Sequence, residues 1–371
     1  MLVLNDYNLK KRKSVKKITF VFPGVPHILS GGLKVVFEYA NRLAARDYHV
    51  QIAFDCHTGI YTRRQYIPLF IRENILYPFL ISYHPRWFAL KPSVKKILLK
   101  KGICDEEMPD ADAVIATAAR TADPVAHLSP SKGKKFYFIQ GFENWSIDWP
   151  VERVESTYRL GMHNIVVAKW LQEKVEKAGS DSILIPNGID FTSFNIDIPV
   201  KKRDDYIISM LYHEAPLKGA KYGIEALKRL KRKYPRLQVE MFGVPQRPQN
   251  LPIWMHYTQN ATELELRKIY NRSTIYMCAS IAESFGLTGA EAMACGAAYV
   301  SSDYGGVHEY AKDGRNSLLS EPRNVDGLVN HVSYLFDHPE ERIRLAETGY
   351  QDIHQFDWEK SLDKFESVMQ S

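Results

Sequence analysis

One arrangement of strand, loop and helix occurs twice in this chain of 371 residues. The first copy has the apolar segment ITFVF at 18–22, a loop that ends in Gly-Gly, and then a helical pattern and a second apolar segment. The second copy starts with YIISM at 206–210 and has a loop that ends in Lys-Gly before its helix and strand. Strands that alternate with helices form parallel sheets covered by helices. The repeat therefore predicts two doubly wound α/β domains that face each other.

The segment 183–199 is the expected boundary between these domains, because it contains Pro186, Gly188 and Pro199 and has polar residues just before the second copy. We expect an N-terminal domain at 1–188 and a C-terminal domain at 189–354. In open parallel sheets, ligands bind beyond the carboxyl ends of the strands. The cleft between the domains is therefore the expected ligand site.

Positive charge is concentrated in the first third of the chain. The whole chain has 49 Lys and Arg against 43 Asp and Glu, but residues 1–102 have 18 against 5. Within 63–102, nine basic residues and one acidic residue are interleaved with aromatic residues. This mixture is typical of a segment that contacts an anionic membrane, and it also suits a lipid-linked phosphate acceptor. A solvated helical face over core aromatics is the plainer interpretation, and nucleic-acid binding is disfavoured because no recognition motif accompanies the charge.

Composition excludes several classes of protein. With 45% hydrophobic and 25% charged residues, the chain is neither disordered nor collagen-like, and no apolar run approaches the roughly 20 residues of a membrane-spanning helix. None of the four cysteines has metal-ligand or redox spacing, and the basic N-terminus lacks the apolar stretch of a signal peptide. We expect a cytoplasmic protein that can reach the inner face of the cell membrane.

The segment 282–300 carries the strongest chemical signal. It contains Glu283 and Glu291, and between them a turn that leads into a helix rich in small residues. A helix N-terminus binds anions, and carboxylates accept hydrogen bonds from sugar hydroxyls. The segment thus offers a phosphate site and two hydroxyl-binding groups, although two solvated glutamates on a surface helix fit the same spacing.

Two shorter motifs precede helices in the repeated unit. Gly31 and Gly32 would let a phosphate approach the backbone closely, and Lys218, before Gly219, could neutralise a diphosphate. Taken singly, an ordinary turn and a solvated lysine are the plainer interpretations of these two motifs. The chain has no GxGxxG dinucleotide fingerprint and no GxxxxGK[ST] loop, which disfavours a dinucleotide oxidoreductase.

In this order, the motifs resemble those of the family-4 glycosyltransferases, which have the two-domain GT-B fold. The resemblance spans nearly the whole chain and includes Pro186-Asn187-Gly188 at the junction, Gly305-Gly306 with Glu309, and AKDGRNSLL at 311–319. It implies two Rossmann-like domains, with the N-terminal one binding the acceptor and the C-terminal one binding a nucleotide-sugar donor. It also implies that the last helix, at 355–371, packs back on the N-terminal domain.

The resemblance assigns a role to each matching residue. Glu283 would contact the donor sugar at the reacting centre, Glu291 would bind the ribose, and Lys218 would neutralise the leaving diphosphate. The expected catalytic residues are Glu283, Lys218, Gln140 and Glu143. The expected donor-binding residues are Gly31, Gly32, Asn187, His213, Lys218, Ser284, Phe285, Gly286, Leu287 and Glu291.

Two positions depart from the family pattern. His213 stands where the family usually has an arginine, so either the diphosphate protonates this histidine or another cation substitutes for it. The strand at 135–140 ends in Gln140 rather than leading to the usual histidine, so Gln140 and Glu143 would bind the sugar or the acceptor instead. The sequence FIQGFENW resembles that of a subgroup that includes bacterial rhamnosyltransferases.

The expected function is transfer of a sugar, with retention of configuration, from a nucleotide-diphosphate sugar to a glycan or lipid-linked acceptor in bacterial surface polysaccharide synthesis. No metal or other cofactor is expected, because no Asp-x-Asp follows a strand and Lys218 with backbone N–H groups would stabilise the leaving charge. A nucleotide-sugar epimerase and a non-catalytic nucleotide- or sugar-binding protein remain alternatives.

Overall fold

A computed structural model describes residues 15–26, 29–55, 68–83, 85–144 and 148–371. The basic N-terminus up to residue 14, Cys56 and the start of the basic-aromatic segment at 63–67 lie outside these ranges. Within them, strands and helices alternate along the chain, as the sequence repeat predicts.

The first sheet has seven parallel strands in the order β3-β2-β1-β4-β5-β6-β7. The strands β1 and β4 lie at its centre and are almost entirely buried, because helices cover both faces. The strands are β1 Lys17–Phe22, β2 His49–Asp55, β3 Lys95–Leu99, β4 Ala113–Ala116, β5 Lys134–Ile139, β6 His163–Val166 and β7 Ser182–Leu184. The helices along this part of the chain are α1 Gly31–Ala45, α2 Leu69–Ile71, a π-helical turn Arg72–Leu76, α3 Tyr77–Tyr83, α4 Ala119–Ala126, α5 Val151–Thr157 and α6 Lys169–Lys177.

The second sheet has six parallel strands in the order β10-β9-β8-β11-β12-β13. The strands are β8 Ile207–Leu211, β9 Gln238–Gly243, β10 Met255–Gln259, β11 Ile275–Cys278, β12 Ala298–Ser302 and β13 Ser317–Ser320. The helices are α7 Ala220–Lys233, α8 Glu263–Arg272, α9 Leu287–Ala294, α10 Val325–Asp337, α11 Pro339–Ile353 and α12 Trp358–Gln370. Short 3₁₀ turns occur at Pro130–Lys132, Val200–Lys202, Pro216–Lys218 and Gly306–Glu309. The predicted fold of two doubly wound domains is confirmed.

The last helix, α12, packs on the first sheet rather than on the second. Its residues Trp358 and Phe365 belong to the same core cluster as β1 and α1, and the ring of Tyr39 lies 4.4 Å from that of Phe365. Where the chain crosses back, the Ser361 hydroxyl donates to the carbonyl oxygen of Pro186 at 2.8 Å. A Cβ on Gly188 would lie 2.6 Å from Trp358, so this junction needs a glycine for close approach.

Two strand predictions are too long at their carboxyl ends. The apolar runs at 113–119 and 164–169 each predict a buried strand over their whole length, but the strands end at Ala116 and Val166. In both cases the apolar run continues directly into a helix, α4 at Ala119 and α6 at Lys169. Periodicity cannot separate a short buried strand from the buried start of the following helix.

Candidate active site

Two helix N-termini, one from each domain, meet across the cleft. Gly31 is the first residue of α1 and Leu287 the first of α9, and a Cβ on Gly31 would lie only 3.4 Å from the Leu287 side chain. The first N–H groups of a helix have no partner within that helix, and its dipole makes this end positive. The region where α1 and α9 meet is therefore suited to an anion such as a diphosphate.

Gly32 and Gln140, which the sequence analysis singled out separately, lie in contact. The Gln140 side-chain amide donates to the Gly32 carbonyl oxygen at 3.0 Å. Gln140 follows β5 directly, so a residue at the carboxyl edge of the first sheet holds the first turn of α1. This places the end of β5 next to the helix N-termini.

Lys218 and Glu283 form an ion pair from two neighbouring loops. Their closest atoms, Lys218 Nζ and Glu283 Oε2, are 3.1 Å apart, and the Glu283 side chain is only 9% exposed. The Ser280 hydroxyl donates to the other carboxylate oxygen at 2.5 Å. One carboxylate and one ammonium therefore stand together at the carboxyl ends of β8 and β11.

Gly219 explains how these two loops come so close. It adopts a left-handed conformation with φ of +61°, and a Cβ there would lie 1.8 Å from the Ala279 carbonyl oxygen. Next to it, the Ile281 N–H donates to the Leu217 carbonyl oxygen at 2.7 Å. Only glycine tolerates both this backbone conformation and this contact, so Gly219 fixes the position of Lys218.

His213 is a neutral hydrogen-bonding residue in this structure. Its Nδ1 accepts a hydrogen bond from the Ala215 N–H at 2.9 Å, which leaves the proton on Nε2. Burial lowers the pKa of His213, and the nearby Lys218 ammonium lowers it further, against the opposing effect of Glu283 and Glu214. Without a bound anion, His213 does not supply the charge of the arginine that the family usually has there.

The turn before α9 presents backbone rather than side chains. Phe285 is only 2% exposed and packs in the second core, with its ring 5.3 Å from that of Tyr310. Gly286 has φ of +84°, and its carbonyl oxygen accepts a hydrogen bond from the Tyr310 hydroxyl at 2.8 Å. The Ser284 carbonyl oxygen accepts from the indole N–H of Trp170, a residue of α6 in the other domain, at 2.8 Å.

Glu291 is buried on α9 and pairs with a residue from the N-terminal domain. Its Oε1 lies 3.3 Å from Lys34 Nζ, and its Oε2 accepts from the Tyr270 hydroxyl at 3.4 Å. Burial raises the pKa of Glu291, and Lys34 opposes this by favouring the charged carboxylate. A buried, acceptor-only group of this kind is suited to binding hydroxyl groups.

Asn187 is buried at the junction between the domains, with 4% of its surface exposed. Its side-chain oxygen has no hydrogen-bond partner among the residues that the structure describes. An unpaired buried acceptor is costly, which makes this position a candidate for contact with a ligand.

Glu143 and Gln140 contact different helices. The Glu143 carboxylate accepts from the Ala119 N–H at the start of α4, at 3.1 Å, whereas Gln140 donates to Gly32 in α1. Burial raises the pKa of Glu143 to about 7, opposed by the hydrogen bond from Ala119 and by Arg120. The short loop after β5 directs Gln140 and Glu143 to different partners, which their proximity in sequence did not reveal.

Sequence reasoning missed three residues of the N-terminal domain that link the domains here, namely Lys34, Trp170 and Lys169. Lys34 pairs with Glu291, the Trp170 indole N–H donates to the Ser284 carbonyl oxygen, and the Lys169 N–H donates to the Glu309 carboxylate at 2.5 Å, at the start of α6. A usable signal existed, because α1 and α6 both begin just after the carboxyl ends of strands, where ligand sites lie.

Metal ligands are not grouped in the described ranges. Within them, no cluster of three or more His, Cys, Asp or Glu side chains is arranged to hold a metal ion. Helices long and apolar enough to cross a membrane are likewise not found in that part of the chain.

The chain is similar in sequence to a known protein family and to several curated proteins. Residues 192–352 match the family described as "Glycosyl transferases group 1". Among curated proteins, the chain is 23% identical over 196 residues to a phosphatidyl-myo-inositol mannosyltransferase of Mycolicibacterium smegmatis, a match that covers 50% of each chain. It is also 23% identical over 279 residues to a D-inositol 3-phosphate glycosyltransferase of Thermobifida fusca, covering 70% of this chain and 56% of that protein. The chain thus spans about half the length of these relatives.

Solved structures share the fold at low sequence identity. Sucrose-phosphate synthase from Thermosynechococcus elongatus has a TM-score of 0.72 at 17% identity and covers 95% of this chain and 98% of its own. HepE from Anabaena, solved in complex with UDP-glucose, has a TM-score of 0.71 at 14% identity, with 95% and 99% covered. The chain therefore has the two-domain GT-B fold, and residues 192–352 are similar to the glycosyl transferases group 1 family.

Proposed function

We propose that this protein is a glycosyltransferase that moves a sugar from a nucleotide-diphosphate sugar to a glycan or lipid-linked acceptor, with retention of configuration. The family match supports the transferase class. The observation that carries the proposal is the meeting of the N-termini of α1 and α9 beside the Lys218–Glu283 pair. Lys218 and the helix N-termini supply the positive charge that a diphosphate needs. The Glu283 carboxylate supplies an acceptor for hydrogen bonds from the hydroxyl groups of the transferred sugar.

The reaction is derived from the charges of the site. The bond between the anomeric carbon and the diphosphate oxygen breaks, and negative charge builds on the leaving diphosphate. Lys218 and the free N–H groups at Gly31 and Leu287 stabilise that charge. The acceptor hydroxyl attacks the same face of the sugar, and its proton passes to the departing diphosphate oxygen. This path retains configuration and requires no carboxylate nucleophile.

Each of these side chains has an assigned role in this proposal. Glu283 accepts hydrogen bonds from the sugar hydroxyls, and Glu291 accepts them from the ribose. His213 donates a hydrogen bond from its Nε2–H to the diphosphate, and Gln140 holds the first turn of α1 at Gly32. The proposal places Glu143 on the acceptor side of the N-terminal domain, where it holds the start of α4. These groups need no divalent cation.

The donor is proposed to be a hexose or deoxyhexose nucleotide, with rhamnosyl transfer in surface polysaccharide synthesis as the narrower form. UDP nucleotides are the first to test, because HepE was solved with UDP-glucose and with UDP. A thermal-shift panel of UDP, GDP, ADP and dTDP, with and without EDTA, tests the proposal. Stabilisation by one base class that is insensitive to EDTA supports it, whereas no stabilisation by any member of the panel contradicts it.

A peripheral membrane contact is the second part of the proposal. On the segment from α2 to α3, Phe70 is 71% exposed, Ile75 is 64% exposed and Phe79 is 62% exposed. These residues recur every four or five positions, which places them along one side of a helix that includes a π-helical turn. Basic residues follow at Arg86 and in 91–101. Exposed apolar side chains next to positive charge suit an anionic lipid surface, where a lipid-linked acceptor would be found.

A further inference from the structure

Lys34 connects the two domains through two carboxylates. Its ammonium lies 2.9 Å from Glu263 Oε1 and 3.3 Å from Glu291 Oε1. The Lys34 side chain comes from α1, whereas the carboxylates come from α8 and α9 of the other domain. Only 20% of the Lys34 side chain and 8% of the Glu291 side chain are exposed. Water therefore screens this pair much less than it screens a surface ion pair.

The charges in this cluster depend on one another. Burial opposes the charged form of Lys34, yet Glu291 and Glu263 together raise its pKa above the ordinary value, so Lys34 stays protonated. Glu291 is buried and needs a cation or hydrogen-bond donors to remain ionised. In this structure Lys34 and the Tyr270 hydroxyl meet that need.

The space beside Lys34 is too small for a nucleoside. The cavity here has a volume of about 20 Å³, room for about one water molecule, whereas ligand pockets have volumes of roughly 300–1,000 Å³. The side chain of Phe194 forms another wall, with its ring centre 5.3 Å from Lys34 Nζ. The cavity is lined by Lys34, Gly188, Phe194, Glu263, Leu287 and Glu291, among others. A ribose that binds Glu291 must therefore displace Lys34.

We propose that Lys34 is a positioning residue that, in the empty enzyme, pairs with the ribose-binding carboxylate of Glu291 and so holds the two domains together, and that nucleotide binding requires its release from Glu291. This contact between Lys34 and Glu291 is called the latch below. The inference rests on the proposed function, because it takes Glu291 as the group that binds ribose. Glu263 keeps a carboxylate next to the displaced ammonium, so release does not leave Lys34 without a counter-ion. Nucleotide binding is then coupled to a change in the contact between α1 and α9.

The test compares Lys34→Met with the wild-type full chain, using UDP and GDP as probes. The variant removes the charge and keeps much of the side-chain volume, so competition for Glu291 disappears. We expect it to bind the nucleoside diphosphate that the wild type binds about fivefold more tightly by calorimetry. Without nucleotide, its radius of gyration by small-angle X-ray scattering should increase, because the interdomain ion pair is lost. Lys34→Arg should behave like the wild type in both measurements, and Lys177→Met, at an exposed lysine of α6 in the N-terminal domain, should change neither.

The possible outcomes separate this inference from the proposed function. Weaker nucleotide binding by Lys34→Met would show that Lys34 is a direct ligand and would overturn the latch. Unchanged scattering together with unchanged nucleotide affinity would also overturn it. If the wild type binds no nucleoside diphosphate, the proposed function fails, while the scattering of the empty variant still supports or contradicts the latch. Should Lys34→Met not fold, Glu263→Gln is the second test: it leaves the displaced Lys34 ammonium without a counter-ion, so we expect weaker nucleotide binding, and unchanged or tighter binding would overturn the latch.

Discussion

The indole N–H of Trp170 donates a hydrogen bond to the Ser284 carbonyl oxygen across the domain boundary, at 2.8 Å. Trp170 lies on α6 and Ser284 in the turn before α9, so one hydrogen bond connects the N-terminal domain to the turn that is proposed to bind the donor. Gly306, from the same domain as Ser284, packs closely against this turn, because a Cβ on Gly306 would lie 2.2 Å from the Ser284 carbonyl oxygen. The position of this turn therefore depends on contacts from both domains.

Trp170→Phe removes this hydrogen bond and keeps an aromatic ring. We expect the variant to lose about 1 kcal/mol of unfolding free energy and to raise the KM for the donor about fivefold, with a smaller effect on kcat. Steady-state kinetics and urea unfolding measure both. Trp254→Phe, on the second domain near Lys231, is the matched control. Equal KM values for Trp170→Phe and this control would contradict a role for the bond in donor binding.

Substitutions of the two glutamates should separate sugar transfer from nucleotide binding. Glu283→Gln is expected to lower kcat at least 100-fold while changing the affinity for the nucleoside diphosphate less than threefold, because the sugar contact alone is weakened. Glu291→Gln should weaken nucleoside diphosphate affinity about 10-fold or more, the effect of losing a charge-assisted hydrogen bond. Calorimetry and transfer assays provide the two readouts.

Glu340→Gln, at a largely exposed glutamate of α11, is the control for both changes. Wild-type rates and affinities in Glu283→Gln and Glu291→Gln alike would show that the roles assigned to these residues are wrong.

His213→Arg should strengthen diphosphate binding. Since His213 is held neutral by burial and by Lys218, an arginine adds a permanent charge and a second donor. We expect about 10-fold tighter binding of the nucleoside diphosphate at pH 7.5, and a gain that becomes smaller as the pH falls and the wild-type histidine takes up a proton. His127→Arg, at an exposed histidine, should have no effect. An unchanged or weakened affinity in His213→Arg would place the diphosphate away from this loop.

Glu143 makes stability depend on pH. Its folded-state pKa of about 7 lies above the ordinary value of 4.5, so between these values the folded protein holds a proton that the unfolded chain has lost. The protonated Glu143 carboxyl group contributes its full stabilisation of the folded state below pH 4.5, and this contribution is lost as the pH rises through about 7. Glu143→Gln cannot ionise and can still accept from the Ala119 N–H. Its free energy of unfolding, measured with urea, should exceed that of the wild type by about 2 kcal/mol at pH 8 and equal it at pH 4.5.

The control for Glu143→Gln is Glu152→Gln, an exposed glutamate of α5, which should not alter the pH dependence. A constant difference between Glu143→Gln and wild type across this pH range would show that Glu143 keeps an ordinary pKa.

Phe70→Ser combined with Ile75→Ser should weaken membrane binding. These side chains are the most exposed large apolar groups on the segment from α2 to α3, so their loss removes apolar area that lipid would cover. We expect about 10-fold less co-sedimentation with phosphatidylglycerol–phosphatidylcholine vesicles, and binding by wild type that falls as salt rises. Ile253→Ser with Tyr334→Ser, two exposed positions in the second domain, should sediment like wild type. Salt-insensitive or absent binding by wild type would overturn the membrane proposal.

The sequence by itself determined the two α/β domains and the position of the candidate site at the ends of their strands. Helical periodicity and short buried strands are local patterns, so they predict α1, α7 and the strands beside them. The order of Gly31-Gly32, Lys218, Glu283 and Glu291 along the chain carried the resemblance to glycosyltransferases. The ends of β4 and β6 were placed too late, since an apolar run does not show where a strand gives way to a helix.

Only the tertiary structure decided which groups meet across the cleft. Lys34 and Glu291 are 257 positions apart, and Trp170 and Ser284 are 114 apart, so no local pattern links them. The packing of α12 on the first sheet and the close approach at Gly188 bring the two domains into contact. The charge state of His213 likewise follows from burial and from Lys218, which depend on how the loops pack. Residue types can be read along the chain, but pairing and dielectric environment arise only when distant segments fold together.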